Sequence, residues 1–140
     1  RSQMCLSDKP LFIYARGRGQ VTESLEMIAL AHGLSADEMR HGSWAYSVIN
    51  TNSPRQIDVP MAEGIIDMAR AGQLSIITPF CLAGAMAPIT IAGALVLQHA
   101  EALAAARLFS RSSPWPRSPW HNLRHPARPW HMADLPLTLI

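Results

Sequence analysis

Twenty-four consecutive residues, Leu74 to Leu97 (LSIITPFCLAGAMAPITIAGALVL), carry no charge. Length and apolarity of that order fit a membrane-spanning helix, but two prolines argue against one. Pro79 and Pro88 would each remove a backbone donor from a continuous span, and lipid offers no substitute. Leu74–Thr78 is β-branched and of strand length, whereas the alanine-rich run from Ile89 favours helix. Between them, Pro79–Pro88 is a connection of small residues. The stretch reads as buried strand, loop and buried helix, the core of an α/β protein, and no membrane partner is expected.

The preceding chain repeats that alternation. Leu11–Tyr14 (LFIY) reads as a short buried strand, followed by the loop Ala15–Gln20 with two glycines and two arginines. Thr22 is the expected N-cap of a helix, with Glu23 and Glu26 in its first turn, where the dipole favours anions. Leu25, Ile28, Ala29 and His32 keep helical spacing, and Gly33 supplies the stop. Ser35 with Glu38 makes a capping box for a brief second helix ending by Gly42. Trp44–Asn50 alternates as a second strand, and Thr51–Val59 is a polar loop. Asp58 caps a helix from Pro60 to Ala71, with Gly72 at its end. Leu74–Thr78 is the third strand, and the last helix is expected from about Ile89 to about Ala106.

Strand starts at Leu11, Trp44 and Leu74 lie about 30 residues apart, the length of βαβ units with right-handed crossovers. The expected fold is α/β with parallel strands, in an open sheet or in part of a (β/α)8 barrel. The loops after the strands would then gather on one face, where such proteins place their sites.

Composition divides the chain in two. Residues 1–110 hold eight Arg/Lys against nine Asp/Glu, so nothing in the body suggests a nucleic-acid footprint. Residues 107–140 form an expected irregular tail after a first domain of 1–106. Residues 111–140 hold six of the eleven prolines and three of the four tryptophans, with four arginines against Asp134 alone. Proline at that density excludes helix or strand interiors; such a basic, Trp-rich segment could also bind a membrane surface or nucleic acid. Cys5 and Cys81, with no CxxC, fit a reduced cytoplasmic protein. No signal peptide is expected, because charged Asp8 and Lys9 precede any apolar run. A start without methionine suggests a missing N-terminus.

Several residues are candidates for chemistry. Gly17-x-Gly19 after a strand begins like a dinucleotide fingerprint, with Asp37 about twenty residues on, but Thr22 stands where the third glycine belongs. A small nucleotide-binding α/β module is therefore the alternative reading; two glycines in a βα loop also serve backbone geometry alone. Arg16 and Arg18 could hold a phosphate or carboxylate, or be a solvated loop. Asn50, Thr51 and Asn52 close the second strand, and Thr78, Pro79, Phe80 and Cys81 the third. Uncharged polar strand ends suit a neutral or cationic ligand better than a phosphate. Cys81, with no histidine near it in sequence, reads as a packed residue rather than a nucleophile. His121-x-x-x-His125 has the spacing of two helical metal ligands, but flanking prolines and the lack of further ligands leave no metal site expected.

Three phrases carry a resemblance: KPLFIYARGRGQVTESLEMIALAHGLS, YSVINTNSPRQIDVPMAEGIIDMARAGQ and ITPFCLAGAMAPITIAGALVLQHAEALA. Over about Ser7 to Ala104 the chain resembles the trimethylamine methyltransferase family, in its bacterial branch without pyrrolysine that includes glycine betaine methyltransferases. The resemblance implies a (β/α)8 barrel that moves a methyl group from a methylated amine to the cobalt of a corrinoid (cobalamin) held by a partner protein. It also implies a chain several times longer than this one, with oligomers possible in the full-length family. Placed on that layout, Asn50, Asn52, Thr78 and Phe80 are expected in the wall of the substrate cavity. Arg16 and Arg18 are expected to face the corrinoid or a substrate carboxylate. A closed barrel takes roughly 250 residues, so three units alone are expected to be inactive.

The departure from the family comes after Ala104. Its members continue to a helix ending Leu-Ala-Gln and then Pro-Gly-Ala-Pro-Val-x-Tyr-Gly, where this chain reads AAARLFSRSSPWPRSPW. Trp130-His131-Met132-Ala133 requires TGG-CAY-ATG-GCN, and a two-base shift gives NTG-GCA-YAT-GGC, which permits Val-Ala-Tyr-Gly. The same shift permits Pro-Gly-Ala-Pro over Pro126–Pro129 and Leu-Ala-Gln over Trp120–Asn122. The tail is thus expected to be the family's own coding sequence read out of frame; a shifted frame full of stop codons in the encoding DNA would exclude this.

Overall fold

The computed structural model describes residues 9–113 together with Gln3, Leu6 and Ser7. In chain order the elements are β1 (Leu11–Phe12), α1 (Arg18–His32), α2 (Ala36–His41), β2 (Ala45–Thr51), α3 (Val59–Arg70), β3 (Leu74–Pro79) and α4 (Ile91–Ser112). The strands form one parallel sheet in the order β1-β2-β3. With strands in sequence order, right-handed crossovers put every connecting helix on the same face. Accordingly α1 packs on α3 and α3 on α4, with α3 and α4 lying on β2 and β3. The opposite face of the sheet is bare among the described residues.

Alternation along β2 shows the two faces. Ala45, Ser47, Ile49 and Thr51 are buried under the helices, while Tyr46 and Val48 are half-buried and Asn50 is exposed. Register carries the pattern sideways. Phe12, Tyr46 and Leu74 form one row of the bare face; Val48 pairs with Ile76, and Asn50 with Thr78. Between sheet and helices, Val21, Ile28, Ile49, Ile65 and Met68 are fully buried. Burial of each such side chain is worth about 1.5–3 kcal/mol.

The uncharged stretch splits as its prolines demanded, into β3, a connection and α4. Among the described residues no helix is long and apolar enough to cross a membrane. Gly33 ends α1 in the left-handed conformation (φ 65°), Ser35 and Glu38 form the capping box, and Asp58 caps α3 by accepting from Met61 N.

Most boundaries shift by a residue or two, β1 for instance ending at Phe12 rather than Tyr14, and the start of α1 and the end of α4 shift further. Helix α1 begins at Arg18, not after Thr22, and it has no side-chain cap. Gly17, at φ 82°, turns the chain directly out of β1, and its N–H donates to Pro60 O at 3.1 Å. Contact with α3 thus sets the entry that a cap would otherwise set. Helix α4 runs through Ser112 rather than ending near Ala106, because Leu108 and Phe109 still pack against the core. Residues 107–112 are therefore helix, and the expected irregular tail from 107 is corrected to that extent. His121, His125 and residues 114–140 lie outside the described residues.

The N-terminal end of the sheet is locked by one amide. Gln73 is fully buried; its Oε1 accepts from Trp44 N and Ala45 N, both at 3.0 Å. Its Nε2 donates to Met39 O (2.6 Å), Gly42 O (3.2 Å) and Ala71 O (3.1 Å). One side chain so ties α2, β2 and the end of α3.

Candidate functional site

At the C-terminal ends of the strands, where α/β folds place their chemistry, the structure brings Asn50 and Thr78 together. They are register partners on the bare face, and Thr78 Oγ1 donates to Asn50 Oδ1 and, at 3.4 Å, to Ile49 O. This uses the Asn50 carbonyl and leaves its amide N–H groups to meet a ligand. Phe80 follows at the end of β3 and is 53% exposed. Asn52 is exposed but stands apart from this row. Its N–H and C=O both pair with Gln56 across a loop that folds back on itself.

The arginines separate. Arg16 is exposed in the loop after β1, while Arg18 directs its guanidinium to Glu63 of α3, Nε to Oε1 3.5 Å. Arg18 therefore meets a carboxylate of its own chain in the helix layer. Of the two features behind the nucleotide reading, the Gly17 turn is backbone geometry that serves either reading, and the Asp37 position departs from it. Asp37 sits in the first turn of α2, ahead of β2 rather than at a strand end, with Nδ1 of His41 3.4 Å from its carboxylate.

Below Asn50 and Thr78 the bare face is aromatic and aliphatic. The rings of Phe12 and Tyr46 are tilted at 53° with centroids 5.6 Å apart, and Tyr14, two residues beyond Phe12, is 54% exposed. Sequence reasoning named none of these three. Their period-two placement in LFIY and AYSV was the signal, since it puts every aromatic ring on the side opposite the buried residues. Phe12, Tyr14, Tyr46, Val48, Asn50, Leu74, Ile76 and Thr78 include no formally charged group.

A second cluster lies behind the same strand ends, on the helix side. Glu101 of α4 is 5% exposed. Its Oε2 accepts from Thr51 Oγ1 (2.5 Å), Ser53 Oγ (2.8 Å) and Cys81 Sγ (3.7 Å), and its Oε1 from Arg55 N (2.7 Å). Burial opposes ionisation of Glu101, but the hydrogen bonds from Thr51, Arg55 N, Ser53 and Cys81 outweigh it and hold the carboxyl below the ordinary carboxylate range. Cys81 is pushed the other way. Burial raises its pKa first, the Ser53 hydrogen bond opposes this, and the charge and hydrogen bond of Glu101 raise it further. The thiol is packed and protonated, not an activated nucleophile. Among the described residues, no group of three or more His, Cys, Asp or Glu side chains could hold a metal ion. Glu101 was missed in sequence, although a lone acid in the otherwise uncharged helix segment 91–106 was the visible signal.

The chain is 33% identical over 108 residues to a glycine betaine methyltransferase of Desulfitobacterium hafniense (strain Y51), an overlap of 77% of this chain and 22% of that protein. The chain therefore spans about a fifth of the length of that relative. The profile of the family described as Trimethylamine methyltransferase (MTTB) matches residues 1–114, which takes in every described element and ends where the Pro/Trp/Arg-rich segment begins. The chain belongs to the trimethylamine methyltransferase family.

Proposed function

We propose that these residues are three βα units of a (β/α)8 methyltransferase barrel, with the bare sheet face as its interior. The whole protein would transfer a methyl group from a methylated amine, of the trimethylamine or glycine betaine kind, to the cobalt of a corrinoid carried by a partner protein. The observation that carries this reading is the uncharged face itself. When a methyl group leaves a quaternary nitrogen, or a tertiary amine that arrives already protonated, the C–N electron pair returns to nitrogen and the amine departs neutral. No proton has to be supplied, so the wall needs neither acid nor base. It needs surfaces that hold a fixed positive charge and exclude water, which aromatic faces and oriented oxygens provide.

In this assignment Tyr14 and the Phe12–Tyr46 pair supply the aromatic wall. Asn50 and Thr78 supply the polar edge at the mouth, and Phe80 flanks it. Asn52 reaches the site only through its loop. Arg16, exposed at the mouth, is available to an anionic group of the partner's corrinoid or to a substrate carboxylate. The corrinoid enters as methyl acceptor and supplies the nucleophilic metal; the described residues bind and orient the amine. The nucleotide-binding alternative is not favoured by the family match.

Choline and its uncharged tert-butyl isostere, 3,3-dimethylbutanol, distinguish this from general apolar binding. Titrated into the chain and followed by NMR, choline is expected to shift the Tyr14 ring and Asn50 side-chain signals, while the isostere leaves them in place. Equal shifts from both, or shifts from neither, would overturn the assignment of this face.

A further inference from the structure

The buried carboxylate behind the strand ends has a role that neither packing nor charge balance explains. Helix α4 is apolar from Ile91 to Ala106 except for Glu101 and its neighbours Gln98 and His99. A buried acid there carries a desolvation cost unless its oxygens are fully engaged. The ion pairs of the described residues do not include Glu101. Its partners are instead neutral donors from three places: Thr51 at the end of β2, Ser53 and Arg55 N in the loop to α3, and Cys81 after β3. Ser53 Oγ also lies 2.9 Å from Cys81 Sγ, so the two loops join each other as well as the helix.

We infer that Glu101 is a positioning residue: it fixes the two loops at the mouth of the sheet and the facing of the strand ends that carry Asn50 and Thr78. The link is strand alternation. Thr51 adjoins Asn50, and holding Thr51 Oγ1 in the helix layer holds Asn50 on the opposite, bare face. A slip of one residue would turn Asn50 inward. Thr78 follows through its hydrogen bond to Asn50 and its register with it. The functional meaning of the clamp rests on reading the bare face as the substrate wall. The clamp itself is tested without substrate, so failure of either is separable.

The test uses the full 140-residue chain, wild type, Glu101→Gln and Leu108→Ala, with peptide-resolved hydrogen exchange and peptide-resolved alkylation of Cys81 by iodoacetamide across pH. Leu108 lies on the same helix and packs against the core. In Glu101→Gln, exchange over residues 51–56 should rise at least about tenfold more than over Arg18–His32, since charge-assisted bonds to those donors are lost. The pH midpoint of Cys81 alkylation should move down, because the negative charge opposing the thiolate is gone. Leu108→Ala should raise exchange evenly and leave the Cys81 midpoint unmoved. An unmoved midpoint in Glu101→Gln, or exchange that rises equally in Arg18–His32 and residues 51–56, would reduce Glu101 to a packing residue and overturn the inference.

Discussion

At the residue scale, Glu101 also sets an acid limit on the fold. Its folded pKa lies below its ordinary value because the hydrogen bonds of Thr51, Arg55, Ser53 and Cys81 together outweigh burial. The sign follows from linkage. A carboxyl with a depressed folded pKa contributes stability that is fully present above the unfolded value, about 4.3, and is lost as pH falls through the folded value. The stability difference between wild type and Glu101→Gln should therefore be level near neutrality, about 2 kcal/mol, and shrink once pH drops below about 4.3. Urea midpoints from pH 3 to 7 check this; a difference that stays constant down to pH 3 would contradict it. Gln73 plays a comparable role at the other end of the sheet but is uncharged, so its five bonds carry no such pH dependence.

At the scale of elements, α3 comes close to the chain leaving β1 at Gly64. A Cβ there would stand 2.6 Å from Ala15 O, a backbone atom that cannot rotate away. Glycine in a helix interior costs about 1 kcal/mol relative to alanine, and close packing of α3 on the loop after β1 at Ala15 is what it permits. Gly64→Ala should thus destabilise the chain by about 1–3 kcal/mol despite its better helix propensity, whereas Gly19→Ala, with open space around its Cβ position, should be neutral or stabilising. Thermal unfolding of the two variants distinguishes packing from propensity. The same contact explains what the sequence could and could not convey. Prolines and glycines punctuate the chain so plainly that the alternation of strands and helices, the capping box at Ser35 and the cap at Asp58 were legible. The start of α1 was not, because Gly17 and its hydrogen bond to Pro60 O replace a side-chain cap with a contact from α3, far along the chain. The end of α4 was hidden similarly: only the packed core shows that Leu108 and Phe109 belong to it. At the site, strand ends pointed to Asn50 and Thr78, but their pairing depends on register. The partner of Arg18 was not legible either, because Glu63 reaches it from another helix.

On the scale of the whole molecule, the described residues leave too much apolar surface unpartnered for a chain at rest in water. One face of the sheet is bare, and α4 presents Ile91, Val96 and Leu103 outward, all well exposed. Among the described residues the outer edges of β1 and β3 have no strand beside them, and unpaired parallel edges are templates for further pairing. A (β/α)8 barrel would cover all three surfaces at once: its interior closes over the bare face, neighbouring strands take both edges, and the next helix packs on α4. The family match supports that reading, since this chain covers only 22% of the glycine betaine methyltransferase it resembles. Isolated, the 15.4 kDa chain should self-associate, with a sedimentation mass that rises with protein concentration and falls when apolar surface is made charged. Val96→Lys with Leu103→Lys acts on the α4 stripe alone. If that pair restores a monomer, the helix face drives association; if association persists, the sheet edges and bare face do. A wild-type chain that sediments as a monomer at every concentration would mean that these surfaces are already covered, and it would remove the physical ground for reading the chain as a sector of a larger barrel.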